Sequence, residues 1–70
     1  MKDLNKIRGF TGLIKNDGNC FKLHVCGENF WVRDCNFIDG QWKGIVDNDL
    51  MLTDKHGLCY NDEVKFMLIE

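Results

Sequence analysis

Cysteine and histidine are the side chains in this sequence best equipped for chemistry, and Cys20, His24, Cys26 and Cys35 fall close enough together to suggest a metal site. On a strand, residues two apart stand about 7 Å from each other and residues six apart about 20 Å. His24 and Cys26 could therefore share a zinc, but Cys20 and Cys26 could not, and no C-x-x-C pair supplies the usual ligand spacing. A half-exposed sheet face carrying thiols and a histidine is the expected reading, with no metal and no cofactor. Nucleophilic catalysis needs a Cys held beside a base. His56 and Cys59 lie near each other in a loop, with Asp54 and Asp62 available to orient them, but no oxyanion-hole sequence accompanies them. His56-Gly57 reads as a turn, no catalytic residue is assigned, and an enzyme is not expected. Asp47, Asn48, Asp49 and Asp54 look like part of a calcium loop, yet the glycine and the closing glutamate at the required offsets are missing. A solvated acidic rim is expected there instead.

Strands must position these residues. The stretch Phe30 to Asp49 reads as two runs of aromatic and β-branched residues folded back at Ile38-Asp39-Gly40-Gln41. Asp-Gly suits a type I′ turn because both central residues need positive φ. With Asp39 and Gly40 as the turn, Phe37 lies opposite Trp42, Cys35 opposite Gly44 and Arg33 opposite Val46, placing Phe37, Trp42 and Val46 on the expected core face.

Upstream, Met1 to Arg8 has no clear period and could be an arm, a helical turn or the lead into a strand. Phe10 to Lys15 suggests a short strand bent at Gly12, and Asn16-Asp17-Gly18-Asn19 is a turn. Cys20 to Cys26 alternates, with Phe21, Leu23 and Val25 on one face and Cys20, Lys22, His24 and Cys26 on the other. Two registers then survive at Gly27-Glu28-Asn29. A two-residue II′ turn at Gly27-Glu28 sets Val25 opposite Phe30, Leu23 opposite Val32 and Cys20 opposite Cys35, and forces the next strand to swap faces near Asp34 by a bend or bulge. It would also bring Cys20 and Cys35 within reach of a disulfide in oxidising buffer. A three-residue loop sets Val25 opposite Trp31, Leu23 opposite Arg33 and Phe21 opposite Cys35. The first gives the better apolar match.

After Gln41 to Asp47, the triplet Leu50-Met51-Leu52 is expected to plug one end of the fold, Asp54 to Gly57 to turn, Tyr60-Asn61-Asp62 to turn again, and Glu63 to Ile69 to form a last strand with Val64, Phe66 and Leu68 on one face. Five short strands argue a single all-β domain over residues 1–70, a partly open, five-stranded antiparallel barrel of SH3-like or OB-like kind.

From Phe30 onward the chain resembles the YegJ-like family of small bacterial domains of unknown function. The matching residues are Phe30-Trp31-Val32-Arg33, Gly44-Ile45-Val46-Asp47-Asn48-Asp49, His56-Gly57-Leu58 and Asp62-Glu63-Val64-Lys65-Phe66. The resemblance implies a compact β-rich domain and no particular activity. Asp34, Leu50 and Asn61 depart from the family pattern, as they would in a divergent phage or mobile-element relative.

Seventy residues support one small core with little stability to spare. The formal charge of -2 is uneven: six Lys or Arg face Asp3, Asp17 and Glu28 up to Arg33, and eight acids face Lys43, Lys55 and Lys65 beyond it. The start, MKDLNKIRGF, lacks the apolar run of a signal peptide, and no window approaches the roughly 18 apolar residues of a membrane span. A soluble cytoplasmic protein with reduced thiols and no membrane partner is expected.

Two binding modes remain. The acidic rim of Asp47, Asp49, Asp54, Asp62 and Glu63 could occupy a basic groove on a larger protein partner in place of nucleic acid, as carboxylates can substitute for phosphates. Phage anti-defence proteins, anti-CRISPRs among them, and bacterial immunity proteins share this size and simplicity. The expected function is therefore a protein-binding module, sharpest as an inhibitor of a nucleic-acid-handling defence complex. The alternative is a small RNA or single-stranded DNA binder using Lys22, His24, Trp31 and Arg33, two cations and a histidine beside a ring suited to stacking. The net negative charge weighs against it.

Overall fold

A computed structural model describes residues 1–68. Six strands, β1 (Lys2–Asp3), β2 (Phe10–Asp17), β3 (Cys20–Val25), β4 (Glu28–Ile38), β5 (Gln41–Val46) and β6 (Glu63–Phe66), form one sheet in the spatial order β1-β6-β5-β4-β3-β2. A 3-10 turn at Leu4–Lys6 follows β1, and a single helical turn, α1 (Thr53–His56), lies between β5 and β6. The all-β class holds. The five-stranded antiparallel barrel is corrected to a six-stranded mixed sheet: β1 runs parallel to β6 through Lys2↔Val64 and Asp3↔Lys65, and the two edge strands β1 and β2 are not paired with each other. Two residues are too few to show a period, which is why β1 left no sequence signal. The last strand ends at Phe66 rather than Ile69, which lies outside the described residues.

The β4–β5 hairpin turns at Asp39-Gly40, both at positive φ (54° and 82°), and pairs Phe37 with Trp42. Further down, the ladder slips. Arg33 faces Ile45 and Val32 faces Val46, so the expected Arg33–Val46 pairing is wrong by one residue. The extra residue enters at a bulge between Arg33 and Asn36, where Asp34 takes φ 54°. Bulges let one strand change faces. Here Phe30, Val32 and Cys35 all reach the core although an uninterrupted strand would alternate Cys35 outward from Val32.

Neither register proposed for the β3–β4 turn occurs. Cys26 and Gly27 are the two turn residues, at φ 51° and 84°, so Val25 faces Glu28, Leu23 faces Phe30 and Phe21 faces Val32. A left-handed cysteine is unusual and needs support from outside the hairpin. Cys26 N–H donates to Gly9 O at 3.1 Å and its thiol to Arg8 O at 2.9 Å. Gly9, at φ 94°, permits that approach, since a Cβ there would stand 3.1 Å from Cys26 Sγ.

The inner face gathers Phe21, Leu23 and Val25 of β3, Phe30 and Val32 of β4, Val46 of β5, and Val64 and Phe66 of β6, all buried. Leu4 and Leu58 close it from the connections, both fully buried. Of the expected plug, Leu50-Met51-Leu52, Leu50 packs against this core as a partly buried side chain, while Met51 is 88% exposed. Phe37 likewise is not core. It is 61% exposed, beyond the end of the buried row.

Close approach of β4 to β5 depends on Gly44, where a Cβ would stand 3.0 Å from both Cys35 Sγ and Arg33 O and would press on Val32. Overpacking of this kind costs about 1–3 kcal/mol. Gly44→Ala is expected to lower the urea midpoint by that amount of stability with an unchanged denaturant slope, read by tryptophan fluorescence.

Candidate functional site

Strand alternation gives the sheet an outer, solvent-side face. Lys22 and Trp31 are cross-strand neighbours there, both half-buried, and Arg33 follows two residues along β4. His24 is paired with Asn29, its Nδ1 lying 2.6 Å from Asn29 Oδ1. Arg33 is already engaged: its guanidinium lies 2.8 Å from Asp34 Oδ2 and 3.6 Å from Asp47 Oδ1, and it donates to Asn61 Oδ1 at 2.9 Å. A guanidinium so surrounded has little left for a phosphate. Trp31 keeps its ring on this face while its backbone is held by β5's continuation, its N–H donating to Asn48 Oδ1 and its carbonyl accepting from Asp47 N–H.

The acidic rim is divided. Asp47 pairs with Arg33, and Asp62 takes the Lys2 ammonium at 2.7 Å and the Cys59 N–H at 2.8 Å. The Lys2 hydrogen bond holds the Asp62 carboxyl below its usual range. Lys2 also donates to Gly57 O, so these contacts fasten β1 to the loop ahead of β6. Asp49, Asp54 and Glu63 form no ion pair among the described residues. Asn48, read as part of a cation loop, instead caps Trp31.

The outline of a triad at His56, Cys59, Asp54 and Asp62 is overturned. His56 is buried, its Nδ1 accepts from Leu58 N–H at 3.0 Å, and its Nε2 faces Glu28 Oε1 at 2.9 Å. An Nδ1 that accepts places the ring proton on Nε2, donated to Glu28. Both nitrogens are spoken for by groups other than Cys59, whose own N–H bonds Asp62. The four thiols are free, with Cys35 buried and Cys59 exposed. Burial pushes the Cys35 thiol up to about 11, which leaves it protonated and unreactive at neutral pH. Cys20 and Cys35 are not ladder partners. Cys35 N–H bonds Asn19 O instead, at 2.9 Å. Among the described residues no three His, Cys, Asp or Glu side chains gather as a metal site, and no pocket opens in the surface.

Glu28 is the residue sequence reasoning passed over. Counted only as a turn position, its carboxylate accepts from Met51 N–H at 2.8 Å, Leu52 N–H at 3.1 Å and His56 Nε2, and so anchors the β5–β6 connection to the start of β4. The partners lie 23 to 28 residues away, with no local pattern to announce them.

The His56 hydrogen bond, then that of Met51, holds the Glu28 carboxyl below its ordinary value. A depressed folded value means that the stability it contributes is full above the unfolded carboxyl value, near pH 4.3, and is lost as pH falls through the folded one. Glu28→Gln turns an amide NH2 toward donors and is expected to cost about 2 kcal/mol at pH 7. In thermal melts across the pH range, the gap between wild type and variant should hold above about pH 5 and narrow toward pH 3.

Comparison with known proteins adds no relative: no family model, no curated protein and no solved structure matches the chain.

Proposed function

We propose that the protein is a non-enzymatic protein-binding module whose contact surface is the projecting end of the β4–β5 hairpin. The exposed aromatic edge there carries the reading. Phe37 stands edge-on to Trp42 with ring centroids 5.3 Å apart, Trp42 packs on Phe21 at 4.7 Å, and Phe21 on Phe66 at 5.8 Å. One aromatic row thus runs from the core out to a ring with most of its surface in water. Ile38 beside it is also exposed. An aromatic anchor on a rigid two-stranded support is how interface hot spots are commonly built, because little side-chain entropy remains to be lost. The occupied His56 nitrogens and the raised Cys35 thiol support a role without catalysis.

The acidic positions lie at the other end of β5. Asp47 and Asp49 follow its last residue, Val46, and Glu63 pairs with Ile45, whereas Phe37 pairs with Trp42 near its start. In the sharpest form of the proposal the module inhibits a nucleic-acid-handling complex of a defence system. Asp49, Asp54 and Glu63 are then the carboxylates that would enter its basic groove, since Asp47 and Asp62 are committed within the fold.

Phe37→Ala and Ile38→Ala remove exposed side chains and should leave folding intact. In affinity capture from a lysate of the source cells treated with nuclease, wild type should retain a stoichiometric protein partner and the double variant should lose it. Retention by both rules out the hairpin as the contact. An Asp49→Asn, Asp54→Asn, Glu63→Gln variant tests the inhibitor form, with a slower association rate at low salt as its expected effect.

A further inference from the structure

The register assembles an arrangement on the outer face that the sequence alone did not display. Lys15 is the cross-strand partner of Lys22, and Lys43 is the cross-strand partner of Lys65. Like charges directly opposite on one face of a sheet repel and destabilise it. Among the described residues none of these four ammonium groups lies within ion-pair distance of a carboxylate. Trp31, the neighbour of Lys22, stands on β4, the strand between the two pairs, and further along that strand, past Arg33 and the bulge, Asn36 lies beside Lys43. Of the acids sharing the face, Asp3 on β1 is the register partner of Lys65 without forming an ion pair with it, Glu63 opens β6, Asp17 closes β2, and Asp47, beside Trp31, is paired with Arg33. The negative net charge resides largely in turns and connections, at Asp39, Asp49 and Asp54, and in Asp47 and Asp62, which are paired.

We propose that this outer face binds single-stranded nucleic acid, with a base stacked on Trp31 and backbone phosphates bridging Lys15–Lys22 on one side and Lys43–Lys65 on the other. A phosphate between two opposed ammonium groups turns their repulsion into shared attraction, and the indole supplies a sequence-tolerant stacking platform. Arg33 orients the face through its bonds to Asp34, Asp47 and Asn61 and is not a phosphate ligand. Lys43 stands one rung from the Phe37–Trp42 pair but on the opposite face of the sheet, so this contact is distinct from the aromatic edge and either function stands without the other.

The test is fluorescence anisotropy with labelled oligo-dT and oligo-rU of about 12 nucleotides, titrated with the whole chain from low salt upward. Binding of either strand is expected, and the two arms distinguish DNA from RNA. Trp31→Ala should weaken binding by roughly 5- to 150-fold, with Trp31→Phe restoring most of it. Lys43→Gln with Lys65→Gln should reduce the log–log salt slope by about 0.7, the share of the one phosphate that this pair bridges on a single strand. These lysines are half-buried and glutamine keeps most of their stem, so the double variant should keep the thermal stability of wild type or gain from the lost repulsion. Failure to bind either oligonucleotide at low salt overturns the proposal. So does binding unaltered by the lysine changes, or equal displacement of the oligonucleotide by poly-glutamate, which would make the face a site for acidic protein.

Discussion

One carboxylate holds the two parts of this molecule together. The sheet from β2 to β5 is built by successive hairpins, but β6, and β1 beyond it, can join only if the long connection after Val46 is brought back across the core. Glu28 arranges this by accepting three hydrogen bonds from that connection at once, from Met51, Leu52 and His56. His56 passes the constraint on to Leu58 through its other nitrogen, and Leu58 is fully buried. Charge-assisted bonds of this kind are stronger than neutral ones, and a buried ring with both nitrogens satisfied carries no unpaired polar group into the core. Histidine and glutamate in a small chain invite a catalytic reading, but here their pairing is structural.

The same economy limits what the surface can offer. Arg33 and Asp47 neutralise each other, as do Lys2 and Asp62, so the charges that looked most useful for recognition are partly absorbed in holding the loops. What remains exposed differs by place: an aromatic edge near the start of β5, acids past its end, and opposed lysines on the outer face, where Lys43 stands one rung from the Phe37–Trp42 pair. A chain this small has one core and several surfaces, and recognition at one of them need not disturb the others.

Much of this was legible in the residues, and the failures have local causes. Asp39-Gly40 fixed its own turn because both positions favour the required backbone, and the alternation of β3 sorted Phe21, Leu23 and Val25 inward without ambiguity. The neighbouring turn was misplaced because cysteine rarely adopts a left-handed conformation, and the contacts that allow it come from Arg8 and Gly9, far back in the chain. A face swap near Asp34 was foreseeable from the apolar pattern, but its register was not, since a bulge inserts a residue without changing composition. The outward placement of Lys22 and Trp31 follows from period two. The opposition of Lys43 to Lys65 and the engagement of Arg33 depend on strand order and loop return, which no short window contains.

Pairing Lys2 with Val64 makes the outermost strand the beneficiary of the greatest sequence separation in the sheet. Ring closure over such a span costs entropy before any contact rewards it, so the hairpins can assemble early and the parallel edge only afterwards. Until it does, β6 remains a bare border with open amides and carbonyls, and the molecule is most vulnerable to sticking to its own kind in that interval rather than in the finished state.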